Sequence, residues 1–317
     1  MKISPKVNIG YPCVNIQLSN PKKYGLSQSK IVTNRSMKKA TFISKGIDYA
    51  SELSLQNCKD LFKVIEWNHK NKFNFFRVTS DLFPWCSEYK LSELRDYLEI
   101  RKILNSIGDY VFKNKMRITS HPGPFNVLTS MNNNVVNNCI KDLSIHGELF
   151  DMMNLERTPY NKINIHIGGV YGDKALAMER FCENFKKLPD NVRSRLTVEN
   201  DDKNTMYSVE DLYYGIYKVI GIPIVFDYHH HRFCPGDLSE KQALELAIST
   251  WENIIPVVHY SESRNIEQKN DKIKPQAHSD YILSFINNYE KKIDIMVEAK
   301  AKELAVLKYL EKWKNNY

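Results

Sequence analysis

The stretch Pro-Ile-Val-Phe-Asp-Tyr-His-His-His, residues Pro223 to His231, is the one from which the fold can be predicted. Its first four residues are apolar, and a short apolar run that begins just after Gly221 is typical of a buried strand in a parallel sheet. Asp227 ends this strand, and three histidines follow Tyr228. The strand therefore presents carboxylate and imidazole groups, the ligands that hold Zn²⁺, Mn²⁺ or Fe²⁺. For this stretch alone, a polar strand end without function is the alternative.

The same alternation of strand and helix recurs along the chain. We predict strands at 6–13, 73–79, 116–121, 162–167, 195–200, 223–227, 254–260 and 293–298. We predict helices at 52–69, 91–112, 135–155, 174–187, 209–220, around 244–251, near 279–289 and at 302–313. Regular alternation implies parallel strands joined by crossover helices. Eight such units fit a single-domain (β/α)8 TIM barrel over residues 1–317 better than an open, doubly wound sheet.

Composition narrows the class of protein. The 317 residues are 42% apolar and 26% charged, which is typical of a soluble globular protein. The net charge of +8 suits a polyanionic partner. The six cysteines form no CxxC pair and indicate free thiols in a reducing compartment. We find no apolar run of the ~18 residues that a membrane span needs and no signal-peptide core. We therefore expect a soluble intracellular monomer, in the nucleus or the cytoplasm, that contacts no membrane.

Two further features concern ligands. No GxGxxG motif follows the first strand, so we expect no nucleotide cofactor. The polar stretch 15–46 after the first strand carries basic residues and no acid. This stretch is predicted to be either a solvated loop or a lid that contacts phosphates.

Metal-competent side chains lie at the ends of six consecutive predicted strands. They are His121, His166, Glu199, Asp227 with His230, His259 and Glu298, and His278 follows in the seventh strand–helix connection. In a barrel, these ends converge on the face that carries active sites. Crowded carboxylates repel one another or lose their charge unless a cation lies between them. By contrast, His69 and His146 fall in predicted helices, and we expect them on the surface.

Eight ligands are too many for one four- to six-coordinate ion. A shared carboxylate such as Glu199 can bridge two ions about 3.5–4 Å apart, as in two-metal phosphodiesterases. Phosphodiester hydrolysis is therefore the predicted chemistry.

Several short motifs occur in order along the chain. They are Gly10–Cys13, Asn34–Ser36, Phe76–Val78, His121–Gly123, His166–Lys174, Glu199–Asp201, Asp227–His230, His259–Ser261, Ala277–His278 and Val297–Lys300. With these motifs the chain resembles the UV damage endonucleases, TIM-barrel repair nucleases similar to endonuclease IV. The resemblance covers nearly the whole chain, from residue 10 to about 303.

The resemblance implies an enzyme that cuts damaged double-stranded DNA immediately 5′ of a lesion and leaves 3′-hydroxyl and 5′-phosphate ends. The expected lesions are cyclobutane dimers, 6-4 photoproducts and abasic sites. It implies two to three divalent ions, with Mn²⁺ expected and Zn²⁺ also suited to these ligands. By position, His121, His166 and Glu199 hold one ion, Glu199, Asp227, His259 and Glu298 hold a second, and His230 and His278 serve a third. Glu199, Asp227, Glu298 and His259 are the expected catalytic residues.

Three positions depart from the family pattern. The family has Gln and an aromatic residue after His-Pro-Gly to probe the damaged pair, and this chain has Pro124 and Phe125. Phe125 can still stack between bases. Val257 stands where relatives carry a lysine two residues before the histidine of strand seven, and Glu88 stands where they carry a histidine.

Further residues are candidates for DNA contact. Tyr11 is predicted either to enter the distorted duplex or to pack on the barrel, and Lys300 either to contact a phosphate or to lie on the surface. Arg35 is expected to contact phosphates, together with Lys22, Lys23, Lys38, Lys39, Lys269, Lys272 and Lys274. Since damaged pairs cost least to open, such contacts allow lesion selectivity without sequence readout.

Other functions stay open at this point. An endonuclease IV-like abasic-site nuclease uses the same chemistry. A metal-dependent sugar isomerase or epimerase uses the same barrel, and fold alone does not exclude it. A non-enzymatic DNA-binding or metal-storage protein is the third alternative. The basic loops and the surplus of ligands favour the nuclease.

Overall fold

The structure, a computed structural model, describes residues 7–313 and contains all eight predicted strands. They are β1 (Ile9–Cys13), β2 (Phe75–Val78), β3 (Arg117–Ser120), β4 (Ile163–Ile165), β5 (Leu196–Glu199), β6 (Ile224–Asp227), β7 (Val257–Tyr260) and β8 (Asp294–Val297). Each is one to three residues shorter than predicted, and position 6, predicted to begin the first strand, lies outside the described residues.

The strands close into a barrel in chain order, and every neighbouring pair is parallel. The closure pairs β1 with β8, where Ile9 lies opposite Ile295. The predicted (β/α)8 TIM barrel is therefore confirmed.

Helices follow most of the strands. They are α1 (Ile16–Ser19), α2 (Lys39–Lys70), α3 (Tyr97–Lys113), α4 (Asn133–Met152), α5 (Lys174–Phe185), α6 (Asp190–Arg193), α7 (Val209–Leu212), α8 (Lys218–Ile220), α9 (Tyr228–His231), α10 (Glu240–Ile248), α11 (Arg264–Glu267) and α12 (Glu303–Trp313). A π-helical turn at Tyr213–Tyr217 joins α7 to α8. Short 3₁₀ helices lie at Pro21–Tyr24, Cys86–Glu88, Leu91–Glu93, Pro159–Asn161 and Ser249–Trp251.

The polar stretch 15–46 is more ordered than the predicted solvated loop. It contains α1, the 3₁₀ helix Pro21–Tyr24 and the first turns of α2. Gly46, with a φ of 66°, kinks α2 at a conformation that glycine adopts readily.

The predicted helix near 279–289 is wrong. Ile282 and Ile286 are buried at helical spacing, which explains the prediction. However, the backbone amides of this segment donate to carboxylates of the preceding connection. Glu262 accepts from Leu283 and Ser284, and Glu267 accepts from Asp280 and Tyr281. Because these donors are already bound, no helical ladder is needed to satisfy them.

The barrel interior is layered from the amino to the carboxyl ends of the strands. Near the amino ends, a buried ion pair joins Arg117 Nη1 to Asp294 Oδ2 at 2.9 Å. An apolar layer of Phe75, Val225, Trp251, Val257 and Met296 packs next to it. Since alternate residues of a strand share a face, the next inward positions carry the predicted metal ligands. The apolar layer thus closes the floor of the site.

Two further expectations can be compared with the structure. All six cysteines are free. Within residues 7–313, no helix has the length and apolar character to cross a bilayer.

Candidate metal centre

Glu199, at the end of β5, lies at the centre of the converging side chains and is buried. Its Oε2 lies 3.1 Å from His121 Nε2 and 4.0 Å from His166 Nε2. Its Oε1 lies 3.0 Å from His259 Nδ1 and 3.5 Å from His230 Nδ1. The two oxygens of one carboxylate thus face two different pairs of imidazoles, which is the arrangement that a bridging ligand requires.

Three overlapping groups of side chains are close enough to share an ion. They are His121, His166 and Glu199; Glu199, Asp227 and His230; and Asp227, His259 and Glu298. The first group is the set predicted for one ion. In the others, His230 joins Glu199 and Asp227 instead of standing apart with His278. The His278 ring lies 6.2 Å from that of His230, and its Nδ1 is 3.8 Å from Glu298 Oε2.

Local structure explains how one strand end supplies two of these ligands. Asp227 ends β6 and also caps α9, because its Oδ1 accepts the backbone N–H of His230 at 2.8 Å. The cap turns the chain so that His230 comes back beside Asp227. Capping uses only Oδ1. Oδ2 is buried and has no hydrogen-bond partner among the described residues.

An oxygen atom holds one nitrogen of each of four predicted histidine ligands. Nδ1 of His121 lies 3.1 Å from the Pro122 carbonyl, Nδ1 of His230 2.9 Å from that of Asn200, and Nδ1 of His278 3.1 Å from that of Glu298. Nδ1 of His166 lies 3.2 Å from Asp201 Oδ1. Each of the three carbonyl oxygens fixes the proton on the nitrogen that it binds and leaves the other nitrogen bare for a metal, whereas His166 forms an ion pair with Asp201.

His259 is held differently. Its Nδ1 faces Glu199 and Glu298, at 3.0 and 3.1 Å. Its Nε2 lies 3.1 Å from the Nζ of Lys162, a fully buried lysine just before β4. Burial lowers the pKa of Lys162 well below its ordinary value.

The carboxylates ionise in different ways. Burial opposes the charge of Glu199, but His259 and His166 outweigh it and hold its pKa well below the usual range. Burial also opposes the charge of Glu298, but Arg77, which forms an ion pair with it, and His259 lower its pKa. For Asp227 burial dominates and raises the pKa. A cation placed between these groups relieves both the repulsion and the desolvation.

The imidazoles also differ. Burial lowers the pKa of His121 to about 4. For His166 burial acts in the same direction, but Glu199 and Asp201 outweigh it and raise the pKa to about 10. In the metal-free protein, His166 thus carries a positive charge where a metal ion is expected.

The residues present fit a divalent metal cluster. The donors are imidazole nitrogens and carboxylate oxygens, which suit Mn²⁺, Fe²⁺ and Zn²⁺. The unpartnered Oδ2 of Asp227 is a buried acceptor that a bound cation satisfies.

Four residues that contact this centre were not among the predicted site residues. Arg77 pairs with Glu298, Asn164 Nδ2 donates to Glu199 Oε2, Asp201 holds His166, and Lys162 contacts His259. Each lies on or next to a strand whose end carries a predicted ligand or a motif. Lys162 and Asn164 precede His166 at alternate positions. Because alternate residues of a strand face the same side, the sequence could have identified both.

Pro124 and Phe125 lie in the connection after β3, and both are exposed. Phe125 has 64% of its surface accessible. A cleft of about 370 Å³ is lined by Pro124, His121, His166 and His230, and Phe125 lines a second cavity of about 810 Å³. Gly168 approaches this connection closely. Its φ is 108°, and a Cβ there would lie 2.5 Å from the Val127 side chain.

The prediction that Tyr11 enters the duplex is wrong. Its side chain is fully buried, and its hydroxyl donates to Asn68 Oδ1 at 2.5 Å and accepts from Asn15 at 2.9 Å. The ring packs edge-on against Phe73 and Phe76. Tyr11 therefore packs on the barrel, the alternative left open.

Other side chains can also be compared with expectation. Arg35 forms an ion pair with Asp60, with Nη2 2.7 Å from Oδ2, and donates to the Val32 carbonyl, while its side chain stays 27% exposed; its contact with a phosphate remains a prediction. His146 is buried in α4 beside Asp142, which corrects its predicted surface position. Lys300 is exposed, in agreement with both of its predicted roles.

Comparison with known proteins is consistent with this geometry. The family described as UV-endonuclease UvdE matches residues 7–316. A UV DNA damage endonuclease of Clostridium perfringens is 35% identical over 92% of this chain and 71% of its own length. A UV-damage endonuclease of Schizosaccharomyces pombe is 33% identical over 96% of this chain, which spans only half of that protein.

Solved structures agree. The crystal structure of SacUVDE superposes with a TM-score of 0.81 at 31% identity, over 98% of this chain and 99% of that one. D-psicose 3-epimerase from Clostridium cellulolyticum H10 matches with a TM-score of 0.53 at 13% identity, over 76% and 79%, and shows the shared fold alone. The match over residues 7–316 and the similarity to these relatives show that the protein belongs to the UV-endonuclease family of DNA repair nucleases.

Proposed function

We propose that the protein hydrolyses the phosphodiester bond immediately 5′ of UV photoproducts in double-stranded DNA, and that it also cuts at abasic sites. The observation that carries the proposal is the position of Glu199, whose two oxygens face separate pairs of histidines. Two to three divalent ions, Mn²⁺ in the first place, are the proposed cofactors. Bound at these residues, such ions supply water activation at neutral pH and stabilisation of the attacking and leaving oxygens.

The protein groups hold and orient the centre. His121, His166 and Glu199 are the proposed ligands on one side. Asp227, His230, His259 and Glu298 are proposed on the other, with His278 at its edge. Arg77 neutralises Glu298 in part and fixes its direction. Asn164, which is uncharged, donates to Glu199 Oε2 and fixes its direction, and Thr197 in turn donates to Asn164 Oδ1 at 2.7 Å.

Recognition of damage is assigned to the exposed loops. Phe125 is placed to stack against bases opened at a lesion, and the larger cavity beside it offers apolar walls of Phe83 and Trp85. Lys22, Lys23, Lys38, Lys39, Lys269, Lys272, Lys274 and Lys300 are exposed in the connections after β1, β7 and β8 and are the proposed phosphate contacts. With DNA as its substrate, the protein is expected to act as a monomer inside the cell, in the nucleus or the cytoplasm.

The test is nicking of an end-labelled duplex that holds one thymine dimer, beside undamaged and abasic duplexes, each with Mn²⁺ and with EDTA. The proposal predicts a cut just 5′ of the dimer that EDTA abolishes and no cut in the undamaged duplex. Cutting of the abasic duplex alone contradicts the photoproduct assignment and favours the endonuclease IV-like alternative. Pro124, whose side chain has no hydrogen-bonding group, is then the first residue to exchange. No cutting of any duplex refutes the proposal.

A further inference from the structure

Lys162 has an ionisable side chain that lies deep in the barrel. It is fully buried, and within residues 7–313 its Nζ has one hydrogen-bond partner, Nε2 of His259 at 3.1 Å. A buried amine costs free energy unless it is paired. Its pairing with a predicted metal ligand therefore calls for an explanation beyond packing.

His259 differs from the other histidines of the centre in what holds it. His121, His230 and His278 are held by backbone carbonyls, and His166 by the carboxylate of Asp201. These oxygens only accept a hydrogen bond. The nitrogen of Lys162 instead donates, and it lies against Nε2, the ring nitrogen of His259 that is directed away from Glu199 and Glu298.

The contact also fixes which nitrogen of His259 faces the centre. With Nε2 on Lys162, Nδ1 lies 3.0 Å from Glu199 and 3.1 Å from Glu298. Half a turn of the ring about its Cβ–Cγ axis replaces both nitrogens by carbons and leaves the amine and the carboxylates without a partner. Lys162 therefore favours one ring orientation, as the outer partner of a metal-bound histidine does.

We propose that Lys162 is a positioning residue that holds His259 with Nδ1 directed at the metal ions. The inference rests on the proposed metal-dependent function. It assigns to Lys162 no contact with DNA or with the reacting atoms. Loss of such an outer partner lowers metal affinity or activity about 10- to 100-fold.

The test compares K162M and K162Q with V257A. Met keeps the length of the side chain without hydrogen-bonding, whereas Gln keeps a group that donates and accepts. Val257 lies in the apolar layer two residues before His259 and belongs to none of the grouped metal ligands, so V257A is the control for lost packing. Mn²⁺ binding is measured without DNA, from the electron paramagnetic resonance signal of free Mn²⁺, and thermal melting reports stability.

We expect K162M to bind one Mn²⁺ about 10- to 100-fold more weakly than the wild type and K162Q to recover part of the loss. V257A is expected to melt earlier and to bind Mn²⁺ as the wild type does. Equal Mn²⁺ affinity in K162M, K162Q and the wild type overturns the assignment. If K162M does not fold, K162Q alone decides, because a loss that exceeds that of V257A still separates positioning from packing.

A second readout needs no metal. Since a carboxylate oxygen only accepts, Nδ1 of His259 carries the proton in the metal-free protein, and Nε2 accepts from Lys162. The ¹⁵N resonance of Nε2 must then shift in K162M and stay in place in V257A; an unmoved resonance overturns the proposal. If the wild type binds no Mn²⁺, the proposed function fails, and this resonance still decides the role of Lys162.

Discussion

Replacement of Glu199 by Gln tests the bridging role most sharply, because Gln keeps the shape of the side chain and removes its charge. The carboxylate lies within 4.0 Å of four imidazoles, and each of two ions beside it would lose its shared anionic ligand. Removal of one preorganised electrostatic group at an active site costs about 10²–10³ in rate. Because both ions are affected, we expect a fall of at least about 10³-fold, or about 4 kcal/mol of transition-state stabilisation.

The assay is single-turnover incision of the dimer duplex at saturating enzyme, with Mn²⁺ binding and thermal melting measured on the same preparations. The matched control is E303Q. Glu303 is as buried as Glu199, but it accepts the backbone amides of Ile16 and Gln17, and burial raises its pKa. We expect E303Q to keep its activity. Folded E199Q that retains a tenth or more of wild-type activity refutes the reasoning.

Four further predictions concern other parts of the molecule. Phe125→Ala is expected to reduce the ratio of damaged to intact duplex bound while Mn²⁺ content stays unchanged, and an unaltered ratio in a binding assay removes Phe125 from lesion probing. Tyr11→Phe leaves Asn68 and Asn15 without their shared partner, so unfolding is expected about 1–3 kcal/mol easier in denaturant, with normal incision; an incision defect at full stability contradicts the burial argument. Because the pKa of His166 is raised to about 10, a proton competes with the metal below that pH, and Mn²⁺ affinity is expected to rise up to ~tenfold per pH unit between about pH 6 and 9; a flat calorimetric profile argues against His166 as a ligand. DNA affinity is expected to fall linearly on a log–log plot against salt, and Lys272→Ala is expected to reduce the slope by up to ~0.9; slopes that match within error exclude this phosphate contact.

Much of the architecture was predictable because it depends on local signals. An apolar run such as Pro223–Phe226, flanked by turn residues and followed by a helix, identifies a parallel strand. The regular recurrence of this unit leaves few topologies. Parallel strands also bring their carboxyl ends together, so ligands that are far apart in sequence, such as His121 and Glu298, could be placed on one face.

The errors have a common cause, since they concern contacts that no local pattern reports. The segment 279–289 has helical spacing, but carboxylates of Glu262 and Glu267 hold its amides. Tyr11 lies near the end of the predicted strand 6–13 but in the middle of β1, where strand alternation directs it toward the aromatic residues of the surrounding layer. His146 lies on the face of α4 that packs inward.

The supporting residues were missed for a different reason. The predicted ligands are the side chains at the strand ends, which face the proposed ions. The inward-facing side chains that come earlier in the same strands were not predicted. Lys162 and Asn164 lie four and two positions before His166, respectively, on the same face of one strand. The alternation of faces along a strand identifies these two positions. It does not identify the partner of Lys162 across the barrel, His259, because that contact depends on how the sheet closes.

The most direct measurement is X-ray diffraction at the manganese absorption edge from crystals grown with Mn²⁺. We predict anomalous peaks on both sides of the Glu199 carboxylate, one against His121 and His166 and the other against Asp227, His259 and Glu298. A single peak away from Glu199, or no peak within ligand distance of these side chains in protein that cuts the dimer duplex, contradicts this prediction.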